Sequence, residues 1–167
     1  MAGMDFQVGD KVVHWVYGPG EIINLEEKVL SGHTSLYYVV QVNDLTLWVP
    51  SDENGRRSIR FPTPASEFED LFILLRSPGE PLSKDRLERK LDLSQRMKDG
   101  SLESICRVIR DLNYFRQTQK LSDSDTATLD RAQKFLLSEW RISLSIPVAQ
   151  AEKELKRLLG DDLPSQK

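Results

Sequence analysis

The stretch 6–50 constrains the fold of this chain more than any other. It holds four runs rich in β-branched and aromatic residues, separated by Gly18-Pro19-Gly20, Ser31-Gly32 and Asn43-Asp44. Such runs, with Gly, Pro and Asn between them, are typical of short antiparallel strands joined by tight turns. An open sheet of so few residues would bury little, so we predict a small, strongly bent sheet or barrel. A final short strand is expected at Arg60-Phe61, after a polar loop.

After Pro62 the apolar residues recur with the spacing of one helix face. This spacing predicts five helices, over 66–75, 83–98, 101–117, 122–144 and 147–159. Ser66 with Glu69, and Ser122 with Asp125, have the spacing of capping boxes at helix starts. The predicted fold class is therefore α+β, with a small N-terminal β-barrel of the Tudor-like (SH3-type) kind followed by an all-helical C-terminal domain.

These patterns divide the chain into four segments. The predicted β domain spans 1–62, a connecting helix and linker spans 63–81, the helical domain spans 82–160, and a disordered tail spans 161–167. We place the boundary between the two modules at Ser77-Pro78-Gly79-Glu80-Pro81, because proline and glycine interrupt helices.

The composition is that of a folded chain, with 39% hydrophobic and 29% charged residues. No run approaches the roughly 18 apolar residues of a membrane span, and the N-terminus lacks a basic-then-apolar signal pattern. The single cysteine, Cys106, excludes an internal disulfide and a thiolate metal cluster built within the chain. We expect a soluble cytoplasmic protein that does not associate with membranes.

The charge is unevenly distributed between the two halves. Residues 1–75 carry 5 Lys/Arg and 11 Asp/Glu, a net of −6, and residues 76–167 carry 18 and 15, a net of +3. The helical half is therefore the better candidate for binding a polyanion. An ordinary set of solvated helix surfaces would give the same balance, and charge alone leaves both interpretations open.

The residues that commonly carry catalysis or bind metals do not form recognisable clusters. His14 and His33 have no Cys or carboxylate at ligand spacing, and Cys106 lies in an amphipathic pattern typical of a small core or boundary residue. Gly18-Pro19-Gly20 is not a phosphate loop, because no Gly-Lys-Ser/Thr follows it. We expect no enzyme, no cofactor and no metal.

Short motifs along both halves of the chain carry a family resemblance. Those of the β half are Phe6-x-Val8-Gly9-Asp10-Lys11-Val12-Val13, Tyr17-Gly18-x-Gly20, Gly32 with Tyr37-Tyr38, and Asp44-Leu45-Thr46-Leu47-Trp48-Val49-Pro50. Those of the helical half are Leu82-Ser83-Lys84, Ser94 with Asp99-Gly100, Val108-Ile109-x-Asp111-Leu112, and Leu121-Ser122 before Ala132. Their order and spacing resemble the CarD/CdnL family of bacterial transcription regulators, from Phe6 to about Leu159.

The resemblance implies a Tudor-like domain that binds the RNA polymerase β subunit; a related domain occurs in the transcription-repair coupling factor. It also implies a helical domain that contacts promoter DNA at the upstream edge of the melted bubble and modulates the stability of the open complex. We expect a monomer that is associated with the nucleoid through polymerase. The alternative is a protein-interaction adaptor whose helical domain binds another protein rather than DNA.

The resemblance also assigns two residues of the β domain to polymerase binding. In the family, two basic residues there pair with acidic residues of polymerase. One of these positions is Lys28, which keeps the charge, and the other is Trp48, which does not. Trp48 either supplies apolar anchor area at the interface or belongs to the barrel core, and both roles stay open.

For DNA binding, the resemblance points to the first predicted helix after the 77–81 break. Family members commonly place a tryptophan near the start of this helix, and the matching position here is Arg86. The candidate DNA-binding residues are Lys84, Arg86, Arg89, Lys90 and Arg96. The alternative is a charged, solvated helix face with i, i+4 pairs such as Asp85–Arg89.

Overall fold

The structure is a computed structural model and describes residues 6–160. The chain divides after Pro62 into two compact units, one of strands and one of helices. Within the described residues, none of the helices has the combination of length and apolar composition needed to cross a membrane.

The first unit is a five-stranded antiparallel sheet. Its strands are β1 (Lys11–His14), β2 (Gly18–Leu30), β3 (His33–Val42), β4 (Leu45–Pro50) and β5 (Ile59–Arg60). They lie in the order β4-β3-β2-β1-β5. The predicted Tudor-like β module, including its final short strand, is confirmed. One turn of helix, α1 (Glu53–Arg56), lies in the segment that we expected to be only a polar loop.

Two tight turns set the register of the sheet. Ser31 and Gly32 have φ values of 51° and 79°, and Asn43 has a φ of 54°. These left-handed conformations are those that two-residue hairpin loops require, which is why Gly and Asn are favoured there. The β-rich runs therefore meet in antiparallel pairs, and the turns predicted at Ser31-Gly32 and Asn43-Asp44 are confirmed. The turn predicted at Gly18-Pro19-Gly20 is wrong, because these three residues pair with β1 and the turn lies at residues 15–17.

The core of the β unit lies on one face of the sheet. Strand residues alternate between faces, so every second side chain points inward. The core residues are buried and mostly β-branched: Phe6, Val12, Ile22, Tyr38, Val40, Val42, Val49 and Ile59. The opposite face of β2, β3 and β4 carries polar side chains and the exposed Trp48 around one buried residue, Val39.

Strands β2 and β3 continue together beyond the rest of the sheet. Strand β1 pairs with β2 only from Gly18 to Glu21, and β4 pairs with β3 only from Tyr37 onward. Residues 27–36, which we call the hairpin end, therefore pair only with each other among the described strands. Three apolar side chains of this hairpin end are exposed, namely Val29, Leu30 and Leu36.

Between residues 63 and 160, the second unit contains five α-helices. They are α2 (Phe68–Arg76), α3 (Arg86–Asp99), α4 (Leu102–Phe115), α5 (Asp123–Leu144) and α6 (Val148–Leu158). Helix α4 packs against α2, α3 and α5, and its predicted apolar stripe is buried along the whole helix. Cys106 lies on this buried face, where burial raises the pKa of its thiol to about 12. This confirms the prediction of a core cysteine.

Of the two predicted capping boxes, the one at Ser122 is confirmed and the one at Ser66 is wrong. Ser122 and Asp125 form the predicted capping box at the start of α5, in which the Asp125 N–H donates to Ser122 Oγ at 3.1 Å. Ser66 and Glu69 form no such box. A 3-10 turn over Ala65–Glu67 leads into α2, and no side chain caps that helix.

The division into units falls after Pro62, where the predicted β domain ends, and the 77–81 segment lies inside the helical unit rather than at its boundary. Helix α2 belongs to the helical unit, because the Phe72 and Trp140 rings pack with centroids 4.9 Å apart and buried Glu139 accepts a hydrogen bond from the Thr63 N–H at 2.7 Å. The 77–81 segment also packs on this unit, since the Glu80 N–H donates to Asp111 at 2.9 Å. The expected disordered tail, 161–167, lies outside the described residues.

Gly79 allows the 77–81 segment to approach α4 closely. A Cβ at this position would lie 2.3 Å from the Tyr114 Cβ. We expect Gly79→Ala to lower the free energy of unfolding by about 1–3 kcal/mol, because the segment must move away from α4. Urea denaturation of the full chain measures the change. Glu152→Ala, at an exposed position of α6, should cost under about 0.5 kcal/mol, and an equal loss in both variants would contradict the steric explanation.

Candidate functional site

The two predicted polymerase-binding residues lie together on the outer face of the β unit. The Lys28 Nζ lies 4.3 Å from the centroid of the Trp48 ring. Strand β3 separates β2 from β4, and its residue Val39, opposite Trp48 in the register, is buried. An ammonium group over an indole face is a favourable cation–π arrangement. The fold therefore unites two residues that lie far apart in the sequence.

Glu26 completes this cluster. Its carboxylate accepts a hydrogen bond from the Trp48 Nε1–H at 3.0 Å. Glu26 and Lys28 are two residues apart on β2 and so share one face of the sheet. The indole is thus held at its ring by one side chain and at its N–H by another. Glu26 is not among the predicted polymerase-binding residues, although the alternation of side chains along a strand places it on the same face as Lys28.

The structure decides between the two locations considered for Trp48. Its side chain is 43% exposed, whereas its neighbour Val49 is only 3% exposed and belongs to the core. Trp48 is therefore a surface residue and not part of the barrel core. Lys28 makes no ion pair with any described carboxylate, so its charge is available to an external acidic group.

In the helical unit, three of the five candidate DNA-binding residues are exposed cations. Lys84, Arg86 and Lys90 lie at or just before the start of α3, and none of them pairs with a carboxylate of the described residues. Helix α3 begins at Arg86 rather than at the predicted position 83, because the Asp85 side chain caps it by accepting from the Glu88 N–H at 2.9 Å.

Arg89 is not placed for contact with DNA. It is 3% exposed, and its Nε and Nη2 donate to the two oxygens of Asp125 at 2.9 Å each. Its Nη1 donates to the Ser83 carbonyl at 2.9 Å, and its guanidinium lies 4.6 Å from the centroid of the Phe115 ring. The suggested Asp85–Arg89 side-chain pair does not form. Arg89 instead joins the start of α3 to the start of α5.

Asp125 is adapted to this pairing. Burial alone would raise the pKa of its carboxyl group, but hydrogen bonds from Arg89 and Ser122 outweigh burial and hold that pKa below its ordinary value. A lowered pKa in the folded state stabilises the fold above the unfolded pKa, and the stabilisation is lost as the pH falls through the folded value.

Arg96 is also engaged within the fold. Its guanidinium bridges Asp111, at 2.7 Å, and Asp92, at 3.0 Å. Burial alone would lower the pKa of Arg96, and the hydrogen bonds to these two carboxylates raise it overall. Asp111 is 1% exposed and also accepts from the Arg110 Nε at 2.9 Å. Arg96 therefore ties α3 to α4 and is not a free cation for DNA.

The outward surface of α3 also carries two apolar residues. Leu87 and Leu91 are 65% and 62% exposed, and their i, i+4 spacing places them on one stripe of the helix. This stripe lies away from the buried face of α3, which carries Arg89, Leu93 and Met97.

The contrast between Arg89 and Arg86 gives a stability prediction. We expect Arg89→Ala to lower the free energy of unfolding at neutral pH by about 3–5 kcal/mol, because it leaves Asp125 buried without its partner. Arg86→Ala, on the same helix, should cost under about 0.5 kcal/mol, since Arg86 is exposed. Urea denaturation measures both.

The same pair of variants tests the role of the charged Asp125. The difference in free energy of unfolding between wild type and Arg89→Ala should narrow as the pH falls below the ordinary range of an aspartate pKa, because protonation of Asp125 removes the charge that pairs with Arg89. Equal losses for Arg89→Ala and Arg86→Ala, or a difference that does not change with pH, would contradict a structural ion pair.

Comparisons with known proteins agree with this architecture. Residues 6–60 match the family model described as the CarD-like/TRCF RID domain, and residues 70–156 match the CarD C-terminal domain. The chain is similar to "Putative transcription factor YdeB" of Bacillus subtilis (strain 168), with 28% identity over 157 residues, covering 90% of this chain and 97% of that protein. The chain belongs to the CarD family of transcription factors that interact with RNA polymerase.

Proposed function

We propose that this protein is a transcription regulator that docks on the β subunit of RNA polymerase through its β unit. Its helical unit contacts promoter DNA near the upstream edge of the transcription bubble and so modulates the stability of the open complex. The observation that carries the proposal is the Lys28–Trp48–Glu26 cluster, a surface aromatic held in place beside an unpaired cation.

The cluster has the properties of a protein-docking site. Buried aromatic anchors supply a large part of the binding energy of many protein interfaces. An indole that is already oriented by Glu26 and Lys28 loses little conformational freedom on binding. The Lys28 ammonium then provides a complementary charge for an acidic side chain on polymerase, which favours the correct partner and orientation.

Exposed cations support the proposed DNA contact. Lys84, Arg86 and Lys90 carry three positive charges that no described carboxylate neutralises. Such side chains bind backbone phosphates and position a protein on DNA without reading its sequence. Weak contacts are sufficient, because docking on polymerase raises the effective concentration of the helical unit near the promoter.

The second candidate function is that of a protein-interaction adaptor. Leu87 and Leu91 favour it, because two exposed leucines one helical turn apart suit an apolar groove on another protein. The two functions make opposite predictions for salt dependence, since phosphate contacts weaken with salt and apolar contacts barely respond.

Binding of the full chain to isolated polymerase β subunit tests the docking site. We expect Trp48→Ala to weaken binding roughly 10- to 30-fold through loss of the anchor, and Lys28→Glu to weaken it about tenfold through charge reversal. Tyr17→Ala, an exposed aromatic outside the cluster, is the matched control and should bind like wild type. Binding that is unchanged in both cluster variants would refute the assignment.

Binding of the full chain to a forked duplex, measured across salt concentrations, tests the DNA contact. The triple variant Lys84→Ala, Arg86→Ala, Lys90→Ala should lower the slope of log affinity against log salt by about two to three. The control removes three exposed cations elsewhere in the helical unit, with Arg131→Ala, Lys153→Ala and Lys156→Ala, and should leave the slope unchanged. If the two triple variants behave alike, the contact does not lie at α3.

A further inference from the structure

A polar cleft lies between the start of α3 and the segment that joins α4 to α5. Lys84 and Arg86 line one side, and Gln119 and Lys120 line the other. All four side chains are exposed. Lys120 lies outside the helix to which the resemblance assigns DNA binding, and it is not among the predicted DNA-binding residues.

The electrostatics of the cleft favour an anion. Lys84, Arg86 and Lys120 are exposed cations that pair with no described carboxylate, whereas the exposed lining includes one acidic side chain, Asp123. Arg89 forms part of the floor, but Asp125 beneath it neutralises its charge. Three cations that line one cleft suit an oxyanion with several acceptor oxygens, such as a phosphate group, better than a neutral or apolar ligand.

An ion pair within the fold joins the two sides of the cleft. The two sides come from distant parts of the chain, and the Arg89–Asp125 ion pair connects them at the floor with two hydrogen bonds of 2.9 Å. Phe115 beneath the Arg89 guanidinium adds packing from α4. The two chain segments that carry the cations are therefore already joined, and a ligand is spared the cost of bringing these segments together.

We propose that this cleft binds a phosphate group of the nucleic-acid backbone, with Lys120 as a contact residue opposite Lys84 and Arg86. The inference rests on the proposed function and deepens it by adding a second chain segment to the DNA-binding surface. The same chemistry would accept a small phosphorylated molecule, so the test separates the two sources.

The test compares the full chain, its Lys120→Ala variant and the control Lys153→Ala, which removes an exposed lysine of α6 in the same unit. One arm titrates a forked duplex and the other titrates inorganic pyrophosphate, each followed by the amide NMR signals of residues 119–122. Lys120→Ala should weaken duplex binding about three- to tenfold and lower the salt slope by about one. Lys153→Ala should change neither.

The two titrations distinguish a failure of the cleft proposal from a failure of the proposed function. If the duplex binds wild type and Lys120→Ala equally, the cleft proposal is overturned while DNA binding stands. If pyrophosphate shifts the 119–122 signals and the duplex leaves them unchanged, the cleft takes small phosphates, which overturns the nucleic-acid source. If no duplex binding is detected for any form and pyrophosphate also leaves these signals unchanged, both the cleft and the DNA contact fail.

Discussion

The buried ion pair between Arg89 and Asp125 is the interaction on which the helical unit depends most. It joins the first turn of α3 to the first turn of α5, and Asp125 also takes part in the capping box that starts α5. An unpaired charge at either position would be costly in such a buried site. The pair thereby fixes the rotation of α3 about its axis and determines which of its cations face solvent.

A second ionic network acts in the same way at the other end of α3. Asp111, on the central helix α4, accepts hydrogen bonds from Arg96, from Arg110 and from the backbone of Glu80. Helix α3 is consequently fastened to α4 and to the 77–81 segment by one buried carboxylate. Basic residues in this unit fall into two groups, those that fasten helices together and those that remain available to a polyanion.

More of the fold than of the candidate functional site could be predicted from the sequence. Turn residues and apolar spacing are local signals, so the succession of strands and the approximate bounds of the five helices were predicted. The roles of Arg89 and Arg96 could not be predicted, because they depend on carboxylates that come close only after α4 and α5 have packed.

Trp48 illustrates the same limit, since strand alternation shows that it and Val49 face opposite ways but does not show which faces the core. Ser66 and Glu69 have the right spacing for a capping box, yet the preceding Pro64 starts a 3-10 turn there instead.

The hairpin end, 27–36, has a consequence for local unfolding. A two-stranded ribbon with exposed apolar side chains has little burial to hold it closed. Its amides should therefore exchange with solvent through openings that cost less free energy than unfolding of the whole β unit. Lys28 lies within this ribbon, so the ammonium that rests on Trp48 is in place only while the ribbon is closed. A partner that binds both residues would shift the ribbon toward its closed form, and docking and ordering of this segment would then be a single event.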